Sequence, residues 1–460
     1  MQSTLFKNQS DSEIEALWFS EPFIYHDSPD QNLSRWEILQ AALRLSLDIT
    51  SSQPLSAMIL FQQRHVFLIA CLAIALKNGR VILPPNTTEN TLKNLHYELP
   101  NIWLFSDKVP TSFQHESQVS SQHIEAVITS IKKSPPLFDL KALTQFFAQI
   151  KSSEIWLYTS GSTGQPKKVV KTWQNMMDSA NLAISRFDLM TPCFIVTTVP
   201  NQHMFGLETS IFWPFFSKAS LWHERPMFPE DIIAALSLNT QQPALLVSTP
   251  LHIKKLIAFK LEWPNHLNRL LSATAPMPST LAQKAEQQMK VQLFEVYGST
   301  ETASIASKQS TVSELWQPYQ NVEFQKTSPK QYVVKTDGLD DFQPLHDQIE
   351  FINHPQFKLG KRDNDLIKIA GKRISLAELN RSLCAIEGIS DGVFIQPQHS
   401  ERLAAFVVAT RNSLEIQKAL RKTIDPVFLP RPIIFLNTLP RSDVGKVLHN
   451  VLLKHLTSKK

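Results

Sequence analysis

The chain predicts an α/β fold: a large N-terminal domain of doubly wound sheets with a small β subdomain, then a small, compact α+β C-terminal domain. Three observations carry this reading. Short apolar runs at 194–199, 244–247, 270–273 and 291–296 recur between helical stretches, the rhythm of a parallel sheet with helices on both faces. From Val322 the rhythm changes to short β-like pieces at 332–335 and 349–352. A cluster of charges at 362–365 then separates these from a second, compact α+β pattern. The predicted domains are therefore 1–362 and 363–460, hinged at Asp363.

The elements follow in order. Trp36, Ile38, Leu39, Leu43 and Leu45 predict an amphipathic helix starting at Ser34. A buried helix over 66–76 ends at Asn78-Gly79, and the strand 80–83 stops at Pro84-Pro85, one helix-to-strand unit of a parallel sheet. The polar stretch 114–122 predicts a surface loop, and helical pattern over 140–150 leads to a strand at 155–157. A helix is expected over 172–187. After strand 194–199 and its stop Pro200-Asn201 comes an aromatic helix through Phe212, Trp213, Phe215 and Phe216, of a type usually buried in the core. Beyond the hinge, 366–369, a helix from Leu376, 393–396 and 404–409 complete the C-terminal domain, and no internal repeat is evident.

A chain of 460 residues, 43% hydrophobic and 19% charged, fits a soluble globular protein of more than one domain. Its longest apolar run, 66–76, is too short to span a bilayer, so no transmembrane segment is expected. Asp11, Glu13 and Glu15 close behind Met1 do not make a secretory signal, which points to a cytoplasmic location. Cys71, Cys193 and Cys384 are far apart and read as small core residues in a reducing compartment. The fourteen histidines show no H-x-x-x-H spacing that would suggest zinc. A net charge of +5 is modest, and the basic bias near the C-terminus lacks the aromatic interleaving of a nucleic-acid binder. It suits a solvated face or an acidic partner instead.

The stretch 158–168, Tyr-Thr-Ser-Gly-Ser-Thr-Gly-Gln-Pro-Lys-Lys, has the composition of a phosphate cradle. Phosphate oxygens need several donors converging on a small volume, which requires a backbone that turns sharply and comes close. Gly161 and Gly164 allow that, Thr159, Ser160, Ser162 and Thr163 supply hydroxyls, and Lys167 supplies charge. Pro166 stands where a Walker A loop has its second glycine, so the loop is of another kind. With only 11 glycines in the chain, two within four positions argue against a flexible linker.

A second candidate is Tyr297-Gly298-Ser299-Thr300-Glu301, which follows the strand 291–296 as a strand-to-helix turn. In an open α/β sheet, ligands collect at the carboxyl ends of the strands, where both segments would lie. Tyr297 can stack on a base, Thr300 can donate to a phosphate, and Glu301 is a hard oxygen ligand suited to Mg²⁺.

These two segments, with Arg441-Ser442-Asp443-Val444-Gly445-Lys446 in that order, resemble the core motifs of the adenylate-forming (AMP-binding) superfamily of acyl-CoA synthetases, adenylation domains and luciferases. The resemblance spans about residues 60 to 450. It implies that the first loop grips the β- and γ-phosphates of ATP with Lys167 assisting, and that Ala275 and Pro276, in 272–276, flank the adenine. Tyr297 and Gly298 would lie against adenine, Thr300 would touch the α-phosphate and Glu301 would bind Mg²⁺. Asp347 would hold the ribose hydroxyls beside Arg362. His203 would sit at the acyl carboxylate, Lys446 would be the mobile catalytic lysine, and Lys368 and Gly371 would lie on the thiol-acceptor side. The aromatic residues 212–216 have a second reading as lining of an acyl pocket.

The implied function is ATP-dependent activation of an aliphatic or aryl carboxylic acid to an acyl-adenylate. Thioester formation with coenzyme A or the phosphopantetheine of an acyl carrier protein would follow, releasing AMP and pyrophosphate. The alternative is a degenerate, non-catalytic nucleotide-binding or scaffold protein of the same fold, against which Lys167, Glu301 and Lys446 together argue. Two departures stand out: Lys168 replaces a common glycine, and Leu345-His346 replaces a Thr-Gly pair before Asp347.

Overall fold

In a computed structural model, the structure describes residue 18 and residues 21–457 except 51–54, 100, 111–112, 114–116, 134–139, 161–165, 260, 330, 363–365, 370–371, 398–401 and 443–444. The chain forms two compact units, Met1–Glu323 with Val334–Gln343, and Phe324–Val333 with Pro344–Lys460.

Two sheets build the first unit. One has the strand order Gln118–Val119, Trp103–Phe105, Ser56–Ile59, Arg80–Leu83, Glu154–Ser160 and Pro166–Thr172. Its pairings are parallel except the last, where Glu154–Ser160 and Pro166–Thr172 run antiparallel. The other sheet has nine strands: Gln317–Pro318, Ala303–Lys308, Gln292–Ser299, Leu267–Ser272, Ala244–Ser248, Phe194–Thr197, Ser220–Trp222, Pro22–Tyr25 and Leu33–Ser34. It is parallel from Gln292–Ser299 through Pro22–Tyr25 and antiparallel at both flanks.

One apolar cluster takes in Val81, Leu83 and Ile155 of the first sheet and Ile195, Leu221 and Leu245 of the second. Helix Arg64–Leu76, every residue of which is buried, belongs to the same cluster and is the layer the sheets share. Such a helix must be apolar all round, and RHVFLIACLAIAL after its first turn is. Helix Arg35–Asp48 starts at Ser34, whose hydroxyl accepts from Glu37 N while the Glu37 carboxylate accepts from Ser34 N, a reciprocal cap. Arg35 lies fully buried below it and donates to the carbonyl oxygens of Pro214, Phe215, Ser217 and Ala219. It thereby fixes the end of the aromatic helix.

That aromatic segment is core. Phe212 packs on Trp173, Trp213 on Phe187, Phe215 on Trp18 and Phe216 on Phe147, with ring centroids 5.0–5.6 Å apart. All four are buried. Other expectations are corrected. The stretch 114–122 is not simply a loop: Gln118–Val119 is an edge strand and helix Ser121–Ile131 begins within it, while 114–116 lie outside the described residues. Cys71 and Cys193 are buried, but Cys384 is exposed on a helix of the second unit, its thiol toward Gly392 O.

In the second unit, Asp347–Asn353 pairs antiparallel with Gln356–Arg362, and Leu366–Ile369 with Lys372–Ser375. Ile389–Ile395 and Ala404–Ala409 pair antiparallel, and Ile433–Phe435 joins parallel to the latter. Its core gathers Leu379, Leu383, Phe394, Ala405, Val407, Ile416 and Leu420. Among the described residues no helix is long and apolar enough to cross a membrane.

Candidate active site

Both segments picked out by the sequence are β-hairpins. In the first, Tyr158 pairs with Lys168, Thr159 with Lys167 and Ser160 with Pro166. Gly161, Ser162, Thr163 and Gly164 lie outside the described residues. Strand Pro166–Thr172 follows, and its period-2 alternation turns Lys168 to the face opposite Lys167. There the Lys168 ammonium sits 3.8 Å from the centroid of the Trp156 ring, a cation–π contact. This accounts for the lysine that replaces glycine: it braces the strand pair.

The second hairpin joins Gln292–Ser299 to Ala303–Lys308, so Ser299 to Thr302 form a tight turn between strands instead of the expected entry to a helix. Thr302 N donates to Ser299 Oγ at 3.1 Å and Ser299 N donates to Thr302 Oγ1 at 3.0 Å, closing the turn. Gly298 is required, since a Cβ there would meet Ala303 O at 2.1 Å. Thr300 and Glu301 stand half-buried at the tip. Tyr297 is buried and packs against Trp316, ring centroids 5.5 Å apart, so its ring already has an aromatic neighbour.

The hairpins meet. Lys167 Nζ donates to Glu301 Oε1 at 2.7 Å, with the lysine 59% and the carboxylate side chain 19% exposed. Burial pushes the Glu301 carboxyl up, but the Lys167 hydrogen bond and charge outweigh it and hold the group below its ordinary value. Two buried ionisable residues that sequence reasoning missed support the junction. Lys171, on the same face as Lys167, donates to the carbonyl oxygen of Glu301. Glu208, in a π-helical turn Glu208–Phe212 that interrupts the segment after His203, accepts from Ser304 N at 3.0 Å and Ser304 Oγ at 2.6 Å. Burial lowers Lys171 to about 8 and raises Glu208 to about 7, each tempered by the other's charge. The signal for Lys171 was present: Val169 and Lys171 alternate onto the face opposite exposed Val170.

Around this junction lie the carboxyl ends of the parallel strands. After Leu267–Ser272, Thr274 holds φ at 78°, an outlier for a β-branched residue. Met277 N donates to Glu295 Oε2 at 3.0 Å, tying the segment with Ala275 and Pro276, both exposed, to the strand that carries Tyr297. His203 is half-buried at the start of the turn Met204–Leu207, whose Gly206 passes so close to Pro200 that a Cβ would lie 1.9 Å from its oxygen. Further along the same edge, His252 Nε2 donates to Met227 O at 2.8 Å, which leaves Nδ1 to accept from the Thr198 hydroxyl at 3.0 Å.

In the second unit, Asp347 and Arg362 are opposite one another in the register of Asp347–Asn353 with Gln356–Arg362, so two residues assigned to one ribose share one strand pair. Lys368 pairs with Arg373, and Asp363 and Gly371 lie outside the described residues. Lys446 is exposed on a turn that Arg441 holds. The Arg441 guanidinium makes a two-pronged ion pair with Asp391, at 3.1 and 2.6 Å, and donates to Gly445 O at 2.6 Å. Gly445, with φ at 80°, provides the left-handed turn.

The arrangement brings a cation and a carboxylate together beside the carboxyl ends of the parallel strands, where open α/β sheets collect ligands. Residues 39–329 match the family model described as AMP-binding enzyme. The chain is 26% identical over 324 residues to a 4-coumarate–CoA ligase of Rhodobacter capsulatus, covering 67% of this chain and 77% of that one. It is 23% identical over 359 residues to a D-alanine–D-alanyl carrier protein ligase of Bacillus cytotoxicus, covering 66% and 70%. In fold it is similar to ATP-bound MatB from Rhodopseudomonas palustris, at TM-score 0.77 and 17% identity over 100% of both chains. It is also similar to the O-succinylbenzoate coenzyme A synthetase MenE from Bacillus subtilis with AMP, at TM-score 0.77 and 17% identity over 96% and 97%.

Proposed function

From the premise that the chain belongs to the AMP-binding enzyme family, we propose that it activates a carboxylic acid with ATP and passes the acyl group to a thiol. The carboxylate oxygen attacks the α-phosphorus, forming an acyl-adenylate and expelling pyrophosphate. A thiol sulfur then attacks the acyl carbon, its proton is lost to solvent, and AMP leaves with the oxygen that linked it to the acyl group. Coenzyme A and the phosphopantetheine of a carrier protein both present such a thiol, and relatives named for each acceptor match this chain over similar lengths. We assign the acid to the aliphatic or aryl class and the enzyme to the cytoplasm.

The observation that carries this reading is the Lys167–Glu301 pair at the meeting of two hairpins. A triphosphate can take the lysine while Mg²⁺ takes the carboxylate, so each partner is held ready by the other. Mg²⁺ fits here because Glu301 is a half-buried carboxylate kept ionised by its neighbour, the kind of hard ligand that Mg²⁺ uses one or two of beside phosphate oxygens. When bound it would offset the phosphate charge. Thr159, Ser160, Gly161, Ser162, Thr163 and Gly164 are assigned to the β- and γ-phosphates, and Thr300 to the α-phosphate. Ala275, Pro276, Tyr297 and Gly298 are assigned to the adenine side, and Asp347 with Arg362 to the ribose. His203 is placed at the acid. Lys446 is assigned to the two anions that approach in the first step, where a preorganised cation stabilises the developing charge.

Asp363 is proposed as the hinge between domains 1–362 and 363–460, and Lys368 and Gly371 as the thiol side. Two half-reactions needing different groups at one centre suit such a rotation. ATP–pyrophosphate exchange over a panel of aliphatic, aryl and amino acids tests the proposal. Exchange with members of the first two groups is expected, and none with any acid would overturn it.

A further inference from the structure

Three histidines far apart in sequence meet in the first unit, away from both hairpins. His26 follows strand Pro22–Tyr25, His223 follows the parallel neighbour Ser220–Trp222, and the pairing of Tyr25 with Trp222 sets them side by side. Arg64 N donates to His223 O at 2.8 Å, which brings the first turn of helix Arg64–Leu76, and with it His65, against them. Ring centroids lie 4.0 Å (His26 and His223), 4.8 Å (His26 and His65) and 5.9 Å (His65 and His223) apart.

The ring nitrogens are what distinguish this cluster from ordinary packing. His26 Nε2, His65 Nδ1 and both nitrogens of His223 are buried without a hydrogen-bond partner, whereas buried polar atoms are nearly always satisfied. One nitrogen from each residue lies within 4.8 Å of the others. His65 Nε2 meets Glu125 Oε1 at 2.7 Å. With the carboxylate accepting there, His65 carries its proton on Nε2 and keeps the Nδ1 lone pair bare, as in a carboxylate–histidine–metal relay.

We propose that His26, His65 and His223 bind a divalent transition-metal ion of the zinc class through one nitrogen each, with Glu125 orienting His65. Zinc takes imidazole nitrogens at about 2.0–2.1 Å in tetrahedral geometry, which sets nitrogens about 3.4 Å apart. Closing from at most 4.8 Å is within reach of ring rotation. Of the nearby cations, Lys132 Nζ donates to Asp30 O and Asn32 O, and Arg64 Nη2 donates to Thr197 and Val199, while Arg64 Nε and Nη1 are buried without a partner. His26 is only half-buried, leaving a route for the ion and a water. The ion would tie an N-terminal strand to the sheet and to the shared helix, with no part in adenylation.

The test adds Zn²⁺ or Co²⁺ to the purified full chain. We expect one Zn²⁺ per chain to survive desalting, a tetrahedral visible spectrum with Co²⁺, and a rise in Tm with Zn²⁺ that a chelator reverses. Glu125→Gln should weaken binding about 10- to 100-fold. His26→Asn with His223→Asn should abolish retention, while His123→Asn, at a histidine outside the cluster, keeps it. Circular dichroism establishes that each variant is folded, and the Co²⁺ spectrum needs no variant. No retained Zn²⁺ and no tetrahedral Co²⁺ signal in the wild type would overturn the proposal, as would undiminished retention in the folded double variant. Pyrophosphate exchange is a separate readout, so failure here leaves the adenylation reading standing.

Discussion

Lys167 and Glu301, 134 residues apart in sequence, meet at 2.7 Å and join strand Pro166–Thr172 to the turn between Gln292–Ser299 and Ala303–Lys308. An exposed lysine paired with a carboxylate adds at most about 1 kcal/mol to stability. The proposed function gives the pair a role that stability does not.

Glu301→Gln and Lys167→Met should each cut pyrophosphate exchange by about 10²-fold or more while moving Tm little. Glu301→Gln should also raise the Mg²⁺ concentration needed for half-maximal rate, read by titrating Mg²⁺. The pH sign follows from the same contact: the Glu301 carboxyl is held below its ordinary value, so the pair's contribution is present above about pH 4.5 and is lost as pH falls further. Lys167→Met should raise the Glu301 pKa, visible by NMR titration.

Lys446→Ala should lower the exchange rate by about 10²- to 10³-fold with Tm unchanged, because its side chain is exposed. Asp391→Asn should give a smaller loss of the same kind. It weakens the ion pair through which Arg441 holds the Gly445 carbonyl and hence the turn carrying Lys446.

The buried groups below the hairpins predict a pH profile of stability. Glu208 is raised from 4.5 to about 7, so the folded chain holds its proton longer and this contribution falls as pH rises from 4.5 to 7. Lys171 is lowered from 10.5 to about 8, so its contribution falls as pH drops from 10.5 to 8. Each unit of displacement is worth about 1.4 kcal/mol. Glu208→Gln should remove this one contribution, read as a gain in stability relative to the wild type that grows from pH 4.5 to 7 in urea-unfolding curves.

Gly206→Ala should destabilise the chain by about 1–3 kcal/mol and disturb His203, since its Cβ would lie 1.9 Å from Pro200 O. Thermal unfolding together with KM for the acid would show both effects.

Much of this was legible in sequence. Leu140–Ile150, Trp173–Arg186 and Ala404–Ala409 follow their apolar periods, and the motif order anticipated the family. What period and motif could not show was the partner of each segment. The runs around Ser160 and Ser299 looked like exits from strands, and only pairing with Pro166–Thr172 and Ala303–Lys308 makes them hairpins. Glu208 and Arg35 are polar residues whose burial depends on distant carbonyl and amide groups, so local sequence carries no mark of them. The three clustered histidines are separated by 39 and 158 positions, beyond any local spacing rule.

The most direct test of acid activation through an adenylate follows a heavy-oxygen label. Acids from the panel, labelled in the carboxylate, are turned over with ATP, Mg²⁺ and coenzyme A or a carrier protein. One labelled oxygen is expected in the AMP released, because the attacking oxygen stays on phosphorus when the thiol cleaves the acyl bond. Label in inorganic phosphate with ADP as the other product, or thioester formed with unlabelled AMP, would contradict it.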